Sequence, residues 1–230
     1  MNAEIFAEWL RRQGHHVIKT DSTYWLNSGP KAYLAFPYHR VILPTEIELS
    51  ELLIKEKLLA VRYSAPIDSN NGVISYHVSY QGNDYNLSSL PKKARYDVKK
   101  GLKSLSVDKI SFERLADEGW ELRKETLSRQ GRIGAESKEW WEALCRSARE
   151  LPGIEAWAAI DNDIMAASLL AVTCEDCCSV LYQQSRTRYL SKGANNALTY
   201  TFTAEVINRV PQPQVFYGLH SLDAHFGDGH

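Results

Sequence analysis

The residues best placed for chemistry form a strand–loop–helix unit towards the C-terminal end of the chain. The pattern predicts a strand over 180–185, a loop over 186–193 and a helix that opens at Asn195. A helix N-terminus presents unpaired N–H groups and a positive dipole end, which favour a bound phosphate. Gly193 would let the backbone approach a ligand, and Lys192 would add a point charge. The alternative is an ordinary glycine loop before an Asn-capped helix.

A basic helix is the second candidate. Its apolar stripe has a spacing close to four residues: Leu90, Ala94, Val98, Leu102 and Leu105. Four cations at helical spacing share the opposite face: Lys92, Arg95, Lys99 and Lys103. Ser88 or Ser89 would cap this helix, and Pro91 would lie in its first turn. The basic face suits a phosphate, a tRNA or another anionic carrier, and the alternative is a solvated surface.

Two clusters have metal-ligand residue types, and we predict no metal at either. Cys174, Cys177 and Cys178 include a C-x-x-C pair, which can bind zinc or do redox chemistry. Zinc needs a fourth ligand, which only Cys145 could supply, and the pair brackets a two-residue turn. The tail over 217–230 carries histidines at five-residue spacing, which fits neither a helix face nor strand alternation.

Composition limits the class of protein that could carry these features. The chain has 230 residues, of which 44% are hydrophobic and 24% charged, as in soluble globular proteins. Its 27 basic and 28 acidic residues balance, so an anion site must be a local cluster. No stretch reaches the roughly 18 apolar residues of a membrane helix. The N-terminus resembles no signal peptide and the cysteines are few, so we expect a cytoplasmic protein.

The elements that must position these residues form a mixed α/β pattern. The first part alternates two predicted helices with short strands: helices 3–13 and 46–56, and strands 16–19, 23–27, 32–37, 58–63 and 73–80. After the basic helix, the pattern predicts helices 113–129 and 138–150, then strands 154–160, 165–174, 179–185 and 215–219. The segment 165–172 is almost continuously apolar, which is typical of a strand buried on both faces.

The element order of the second part resembles the GNAT acyltransferase fold. Four segments are similar to FemAB-type peptidyltransferases and related tandem-GNAT proteins: 87–103, 166–172, 181–185 and 189–198. The resemblance extends over residues 87–219 by motif and over 1–86 by element order alone. It implies an α/β fold with mixed sheets in two related halves, 1–86 and 87–230. The GNAT fold usually continues with another helix and two strands, so the resemblance also implies a second half truncated at its C-terminus.

The resemblance implies transfer of an acyl or aminoacyl group to a small-molecule or peptide amine. It places the phosphate of the donor, an acyl-coenzyme A or an aminoacyl-tRNA, at Lys192, Gly193, Ala194, Asn195 and Asn196. Of the glycine pattern found in GNATs that bind acetyl-coenzyme A, only Gly193 matches, and FemAB-type relatives tolerate such divergence because some use tRNA-borne donors.

Further residues are predicted to act on the acceptor and the leaving group. Tyr182 and Gln184 share one strand face and would line the acceptor cleft with Arg186. Tyr217 and His220 follow the last strand, near the expected entry of the acceptor, and either could donate a proton to the leaving group. The alternative for this pair is a packed tyrosine and a surface histidine.

A second hypothesis belongs to another functional class. A degenerate, non-catalytic GNAT module would bind tRNA or another anion through the helix over 92–103. This hypothesis predicts binding that weakens steeply with salt, and no acyl transfer.

Overall fold

The computed structural model describes residues 2–69, 72–80, 85–132, 134, 136–209 and 211–221, and for 217–221 it describes the backbone alone. The chain forms two compact units. One unit comprises Met1–His77 together with a short segment that begins at Leu219. The other unit comprises Val78–Gly218. Across the described residues, every helix is too short or too polar to cross a lipid bilayer.

The first unit contains two helices and a four-stranded sheet. Its elements are α1 (Ala3–Arg12), β1 (Val17–Lys19), β2 (Tyr24–Asn27), β3 (Ala32–Phe36), α2 (Glu46–Lys55) and β4 (Ala60–Arg62). The strands lie in chain order, antiparallel from β1 to β3, with β4 parallel to β3. The side chains of Asn2 and Thr45 cap the two helices.

The core of the first unit lies on both faces of its sheet. On one face, Phe6 of α1 packs against Phe36, with ring centroids 5.3 Å apart. The neighbouring cross-strand pair is Trp25 and Ala35, which points to the opposite face and packs with Leu52 of α2. The strand period of two therefore separates the two layers of aromatic and aliphatic side chains.

The second unit contains a six-stranded sheet in the order β5-β10-β9-β8-β7-β6. Its elements are β5 (Ser75–Tyr80), a 3₁₀ turn (Leu87–Ser89), α3 (Lys92–Leu102), β6 (Ser106–Ile110), α4 (Phe112–Arg129), α5 (Lys138–Ser147), β7 (Ile154–Asp161), β8 (Ile164–Cys174), β9 (Cys177–Ser185), α6 (Thr187–Leu190), α7 (Ala194–Ile207) and β10 (Gln214–Ser221). Strands β6 to β9 are antiparallel, and β10 runs parallel to β9.

Helices cover both faces of this sheet, as the apolar run of β8 predicts. Positions Met165 to Val172 of β8 are all buried. On one face, Phe202 of α7 packs edge-on against Trp157, with ring centroids 5.7 Å apart. On the other face, Trp141 of α5 packs on Tyr182, with ring centroids 6.0 Å apart. The predicted mixed α/β class, and a central strand buried on both sides, are confirmed.

The structure corrects three details of the second unit. Ser88 and Ser89 do not cap the basic helix, because they lie in the 3₁₀ turn that Asn86 caps, and α3 begins only after Pro91. The loop over 186–193 contains the short helix α6. Strand β6 was not predicted, because its exposure pattern shows no clean alternation and it is held by pairing with β7.

Candidate functional site

The β9–β10 ladder ends before either strand does. The parallel pairing covers four positions and stops at Val180 and Tyr217, whereas β9 continues to Ser185. Next to this point, the β8–β9 register shifts by one residue at Leu181, and such a bulge bends a strand. Within the described part of the chain, residues 181–185 therefore have β8 along one edge and no ladder partner along the other, which leaves backbone N–H and C=O groups open there.

Helix α7 opens a short distance beyond that edge, and its first turn is uncapped. Gly193 is the N-cap residue in the left-handed conformation, with φ 77°, and no side chain caps the helix. The first amide of the turn with a backbone partner is that of Ala197, which donates to the Gly193 carbonyl at 2.9 Å. Among the described residues, the N–H groups of Ala194, Asn195 and Asn196 have no acceptor. Ala194 is fully buried, whereas Asn195 is partly exposed and Asn196 is exposed, so an anion can approach the turn at these last two residues.

The sequence predicts that Gly193 lets the backbone approach a ligand closely. In the structure, the backbone of Gly193 instead lies against helix α3. A Cβ atom added at Gly193 would collide with the backbone oxygen of Asp97. The reciprocal contact is equally tight, because a Cβ atom on Gly101 would lie 2.6 Å from the carbonyl oxygen of Gly193. Glycine is thus required at both positions by the crossing of α3 over the start of α7. This contact fixes the orientation of α3 relative to the uncapped turn.

Lys192 lies beside the uncapped turn and is half-exposed. Its Nζ atom lies 3.2 Å from a carboxylate oxygen of Asp161 and 4.7 Å from the ring centroid of Tyr189. A partly exposed ion pair of this kind contributes little to stability. The ammonium group can therefore turn to a bound phosphate at small cost.

A polar network ties the end of β9 to the first turn of α7. The Ser185 hydroxyl accepts hydrogen bonds from Asn195 Nδ2 at 3.2 Å and from Arg129 Nη2 at 3.1 Å. Arg129 Nη1 also donates to the Ser185 carbonyl oxygen at 3.0 Å. Arg129 belongs to α4 and is not among the candidate residues named from the sequence, because nothing local in the chain connects it to Ser185.

The predicted substrate residue Arg186 is anchored within the protein. Its Nε donates to the Met165 carbonyl oxygen at 3.1 Å, and its Nη1 lies 3.7 Å from Glu125. Glu125 also accepts a hydrogen bond from the Thr187 backbone N–H at 2.6 Å. Burial works against the charge on Glu125, but the bonds to Thr187 and the nearby Arg186 hold the pKa of its carboxyl below the usual value.

The predicted acceptor residue Tyr182 lies on the face of the sheet that α4 and α5 cover. Its ring is surrounded by the rings of Trp140 and Trp141, with centroids 6.2 Å and 6.0 Å away, and by the Arg123 guanidinium at 5.2 Å. Burial raises the pKa of the Tyr182 hydroxyl, and the Arg123 charge partly offsets that rise. The hydroxyl is therefore neutral near pH 7 and can donate a proton or a hydrogen bond.

The second predicted acceptor residue, Gln184, is 1% exposed. Its Nε2 donates to the Ser168 hydroxyl at 2.8 Å, and its Oε1 is buried without a partner among the described residues. Buried polar atoms in proteins are nearly always hydrogen-bonded. The Oε1 atom of Gln184 is an exception among the described residues, and its burial closes it to solvent.

A buried ion pair lies beside Tyr182. Arg123 Nε donates to Glu136 Oε2 at 2.7 Å, and Nη2 donates to Oε1 of the same carboxylate. Arg123 occupies the apolar stripe of α4, four residues after Gly119 and four before Leu127. A charged residue at a core position was the available sequence signal, and its partner Glu136 lies beyond the helix, so the pairing could not be read from spacing.

In the structure, the predicted basic face of α3 is formed by lysines and does not include Arg95. Five lysines of the helix and its C-cap are exposed and have no ion pair within the described residues: Lys92, Lys93, Lys99, Lys100 and Lys103. Tyr96 lies among them and is 65% exposed. Arg95 instead donates to the carbonyl oxygens of Ser88 and Leu90, at 3.1 Å and 2.9 Å, and so stabilises the 3₁₀ turn.

The cysteines of the β8–β9 hairpin are buried thiols. Cys174 and Cys177 are paired across the strands, next to the two-residue turn. Burial raises the pKa of Cys177 to about 12 and that of Cys178 to about 11. Neutral thiols are poor nucleophiles and poor metal ligands.

The predicted catalytic residues Tyr217 and His220 lie on β10 by their backbone. Tyr217 forms the last parallel pair with Val180, where the ladder ends. Their side chains lie outside the described part of the structure, so their roles stay predictions.

The chain is similar to known proteins in its fold. No protein-family model matches the sequence, and no curated protein matches it. The fold is similar to that of FemX, with a TM-score of 0.69 at 14% identity over 98% of this chain and 85% of that one. It is also similar to the C-terminal domain of a putative lysylphosphatidylglycerol synthetase from Agrobacterium fabrum (TM-score 0.58, 10% identity, 94% of this chain and 73% of that one).

A third similar structure is L-PGS from Bacillus licheniformis, with a TM-score of 0.57 at 10% identity over 94% of this chain and 77% of that one. At these identities the similarity concerns the fold. It confirms the predicted α/β architecture with mixed sheets.

Proposed function

We propose that this protein is an N-acyltransferase that moves an acyl or aminoacyl group from a phosphate-containing carrier to an amine. The observation that carries the proposal is the open edge of β9 beyond Val180, followed in the chain by the uncapped first turn of α7. An open strand edge can bond the amide groups of an extended donor, and an uncapped turn can bind its phosphate. The fold shared with FemX is compatible with this chemistry.

The reaction requires positioning more than covalent catalysis. The amine nitrogen attacks the carbonyl carbon of the donor's thioester or ester, and a C–N bond forms. The C–S or C–O bond to the carrier then breaks, the nitrogen loses a proton, and the carrier thiolate or alkoxide gains one. Backbone N–H groups directed at the developing oxyanion would lower the barrier.

In this proposal the donor phosphate binds at residues 192–196. The open N–H groups of Asn195 and Asn196 supply the donors, and Lys192 supplies a positive charge. Acyl-coenzyme A and aminoacyl-tRNA both fit this requirement, since each contains phosphate groups.

The acceptor amine would reach the donor carbonyl at the open edge of β9 beyond Val180. Tyr182 and Gln184 lie on the strand face that α4 and α5 cover, so in this proposal they support the edge from within the protein and do not contact the amine. We assign the proton donor for the leaving group to Tyr217, which is the last paired residue of the ladder, or to His220, three residues further along β10. The acceptor is a small-molecule or peptide amine.

The test is carrier binding by calorimetry, with acetyl-coenzyme A and with aminoacyl-tRNA, together with a transfer assay on a panel of amines read by mass spectrometry. Gly193→Val is unsuitable, because it would break the contact with α3. Asn196→Asp is better, since a carboxylate stabilises a helix N-terminus but repels phosphate. We expect it to weaken carrier binding about fivefold.

The matched control is Asn208→Asp, the same change at the other end of α7, which should leave carrier binding unchanged. The proposal fails if neither carrier binds, or if the two variants weaken binding equally.

A second candidate function is supported by the lysine face of α3. Five exposed lysines without ion pairs in the described residues form a surface suited to an extended polyanion such as tRNA. A non-catalytic module of this type binds tRNA with a steep salt dependence, loses binding in the Lys99→Glu/Lys103→Glu variant, and transfers no acyl group. The Lys124→Glu/Lys138→Glu variant lowers the net charge by the same amount on α4 and α5 and serves as control.

A further inference from the structure

An open groove with a volume of about 390 Å³ lies between α3 and the first two turns of α7. Leu90, Ala94 and Val98 form the wall on the α3 side. The wall on the α7 side is polar, with Asn196 and Thr199. This volume lies at the lower end of the range for small-molecule sites, which suits a mononucleotide rather than a whole carrier.

One end of the groove is formed by the uncapped turn. Asn195 and Asn196, whose N–H groups are open among the described residues, both line the groove. An anion bound to those N–H groups would therefore lie next to the groove, and the rest of the ligand could extend into it.

The other notable feature is a pair of tyrosine rings. Tyr85 and Tyr200 line the groove, with ring centroids 5.5 Å apart and ring planes 31° from parallel. Both rings are partly buried, so they present a fixed aromatic surface. Aromatic surfaces of this kind stack on nucleobases.

We propose that this groove binds the nucleobase of a nucleoside phosphate whose phosphate lies on the first turn of α7. The inference rests on the proposed function, because acyl-coenzyme A and aminoacyl-tRNA both contain an adenine nucleotide. Tyr200 supplies the stacking surface, and the amide of Asn196 faces the polar edge of the base.

A planar base has two apolar faces, which suit the mainly apolar lining of the groove, and a polar edge, which the exposed amide of Asn196 can bond.

The experiment compares adenosine 5′-monophosphate with ribose 5-phosphate by calorimetry on the full chain. The nucleotide should bind roughly 5- to 150-fold more tightly, because it alone can stack. Tyr200→Ala should abolish that difference, and Tyr200→Phe, which keeps the ring, should retain it. Tyr96→Ala, an exposed tyrosine of α3 outside the groove, is the control. Thermal unfolding of each variant checks that it is folded.

The outcomes distinguish failure of the groove assignment from failure of the proposed acyl transfer. Equal affinities for the two probes, or loss of the difference in Tyr96→Ala as well, would overturn the groove assignment. Nucleotide binding without transfer to any amine would overturn the proposed reaction and leave the groove assignment intact. Transfer that proceeds with an unchanged KM for the donor in Tyr200→Ala would overturn the groove assignment alone.

Discussion

Gly101 and Gly193 contact each other through their backbones where α3 crosses the start of α7, and a Cβ atom on Gly101 would lie 2.6 Å from the Gly193 carbonyl oxygen. That oxygen also accepts the first backbone hydrogen bond of α7, from Ala197. The lysine face of α3 and the uncapped turn are thus held together by one contact that tolerates no side chain.

Gly101→Ala tests this contact. The added methyl group must push α3 away from α7, which costs about 1–3 kcal/mol of the free energy of unfolding, although alanine favours a helix. Urea unfolding followed by circular dichroism measures the change. Lys100→Ala, the neighbouring exposed position, should be close to neutral. A stable Gly101→Ala protein would mean that the two helices are not in backbone contact.

Removing one charge of the buried ion pair between Arg123 and Glu136 should destabilise the protein more than removing both charges. Glu136→Gln leaves a buried guanidinium without its counter-charge, and we expect it to lower the free energy of unfolding by about 3–5 kcal/mol. The double variant Arg123→Met/Glu136→Met removes both charges and should be clearly more stable than Glu136→Gln. Chemical denaturation of the set gives the comparison. A double variant as unstable as the single one would contradict the prediction.

Glu155 predicts a loss of stability in acid. Burial works against its charge, but hydrogen bonds from Arg209 at 2.8 Å and Trp157 at 2.9 Å hold the pKa of its carboxyl below the usual value of 4.5. Its folded pKa is lowered, so its contribution is complete above pH 4.5 and is lost as the pH falls through the folded pKa.

The measurement is the difference in free energy of unfolding between the wild type and Glu155→Gln as a function of pH. The difference should be constant from pH 7 to about 5.5 and should shrink below about 4.5. Glu121→Gln on the exposed face of α4 is the control. A difference that grows in acid would refute the assignment.

Cys177 and Cys178 should resist alkylation in the folded protein. Their pKa values of about 12 and 11 leave almost no thiolate at pH 7.5, and the side chains are buried. Iodoacetamide labelling read by mass spectrometry should proceed quickly only after urea unfolding. Rapid labelling of the native protein would indicate an accessible, activated thiol instead.

Much of the fold follows from local patterns. The apolar run of β8 predicts a strand buried on both faces, and the spacing of Leu198, Phe202 and Val206 predicts the buried face of α7. These predictions succeed because burial repeats with the period of the element, and that period is visible in neighbouring residues. Strand β6 escapes prediction because only its pairing with β7 stabilises it.

One part of the candidate site could be predicted from the sequence and another part could not. The residues of the uncapped turn could be named from a glycine before a helix, since that signal is local. The role of Arg95 could not be predicted from the sequence, because helical spacing places it with the lysines. Only the folded chain brings its guanidinium to the carbonyl oxygens of Ser88 and Leu90.

Local patterns in the chain were enough to predict most of the helices and strands, their order and the position of the loop that opens α7, but not β6 or α6. The tertiary structure alone decided where the β9–β10 ladder ends, that Gly193 packs against α3, and that Glu136 neutralises Arg123. The physical reason is that periodicity records how each residue is buried, whereas strand pairing, helix crossing and ion pairing join residues that are distant along the chain.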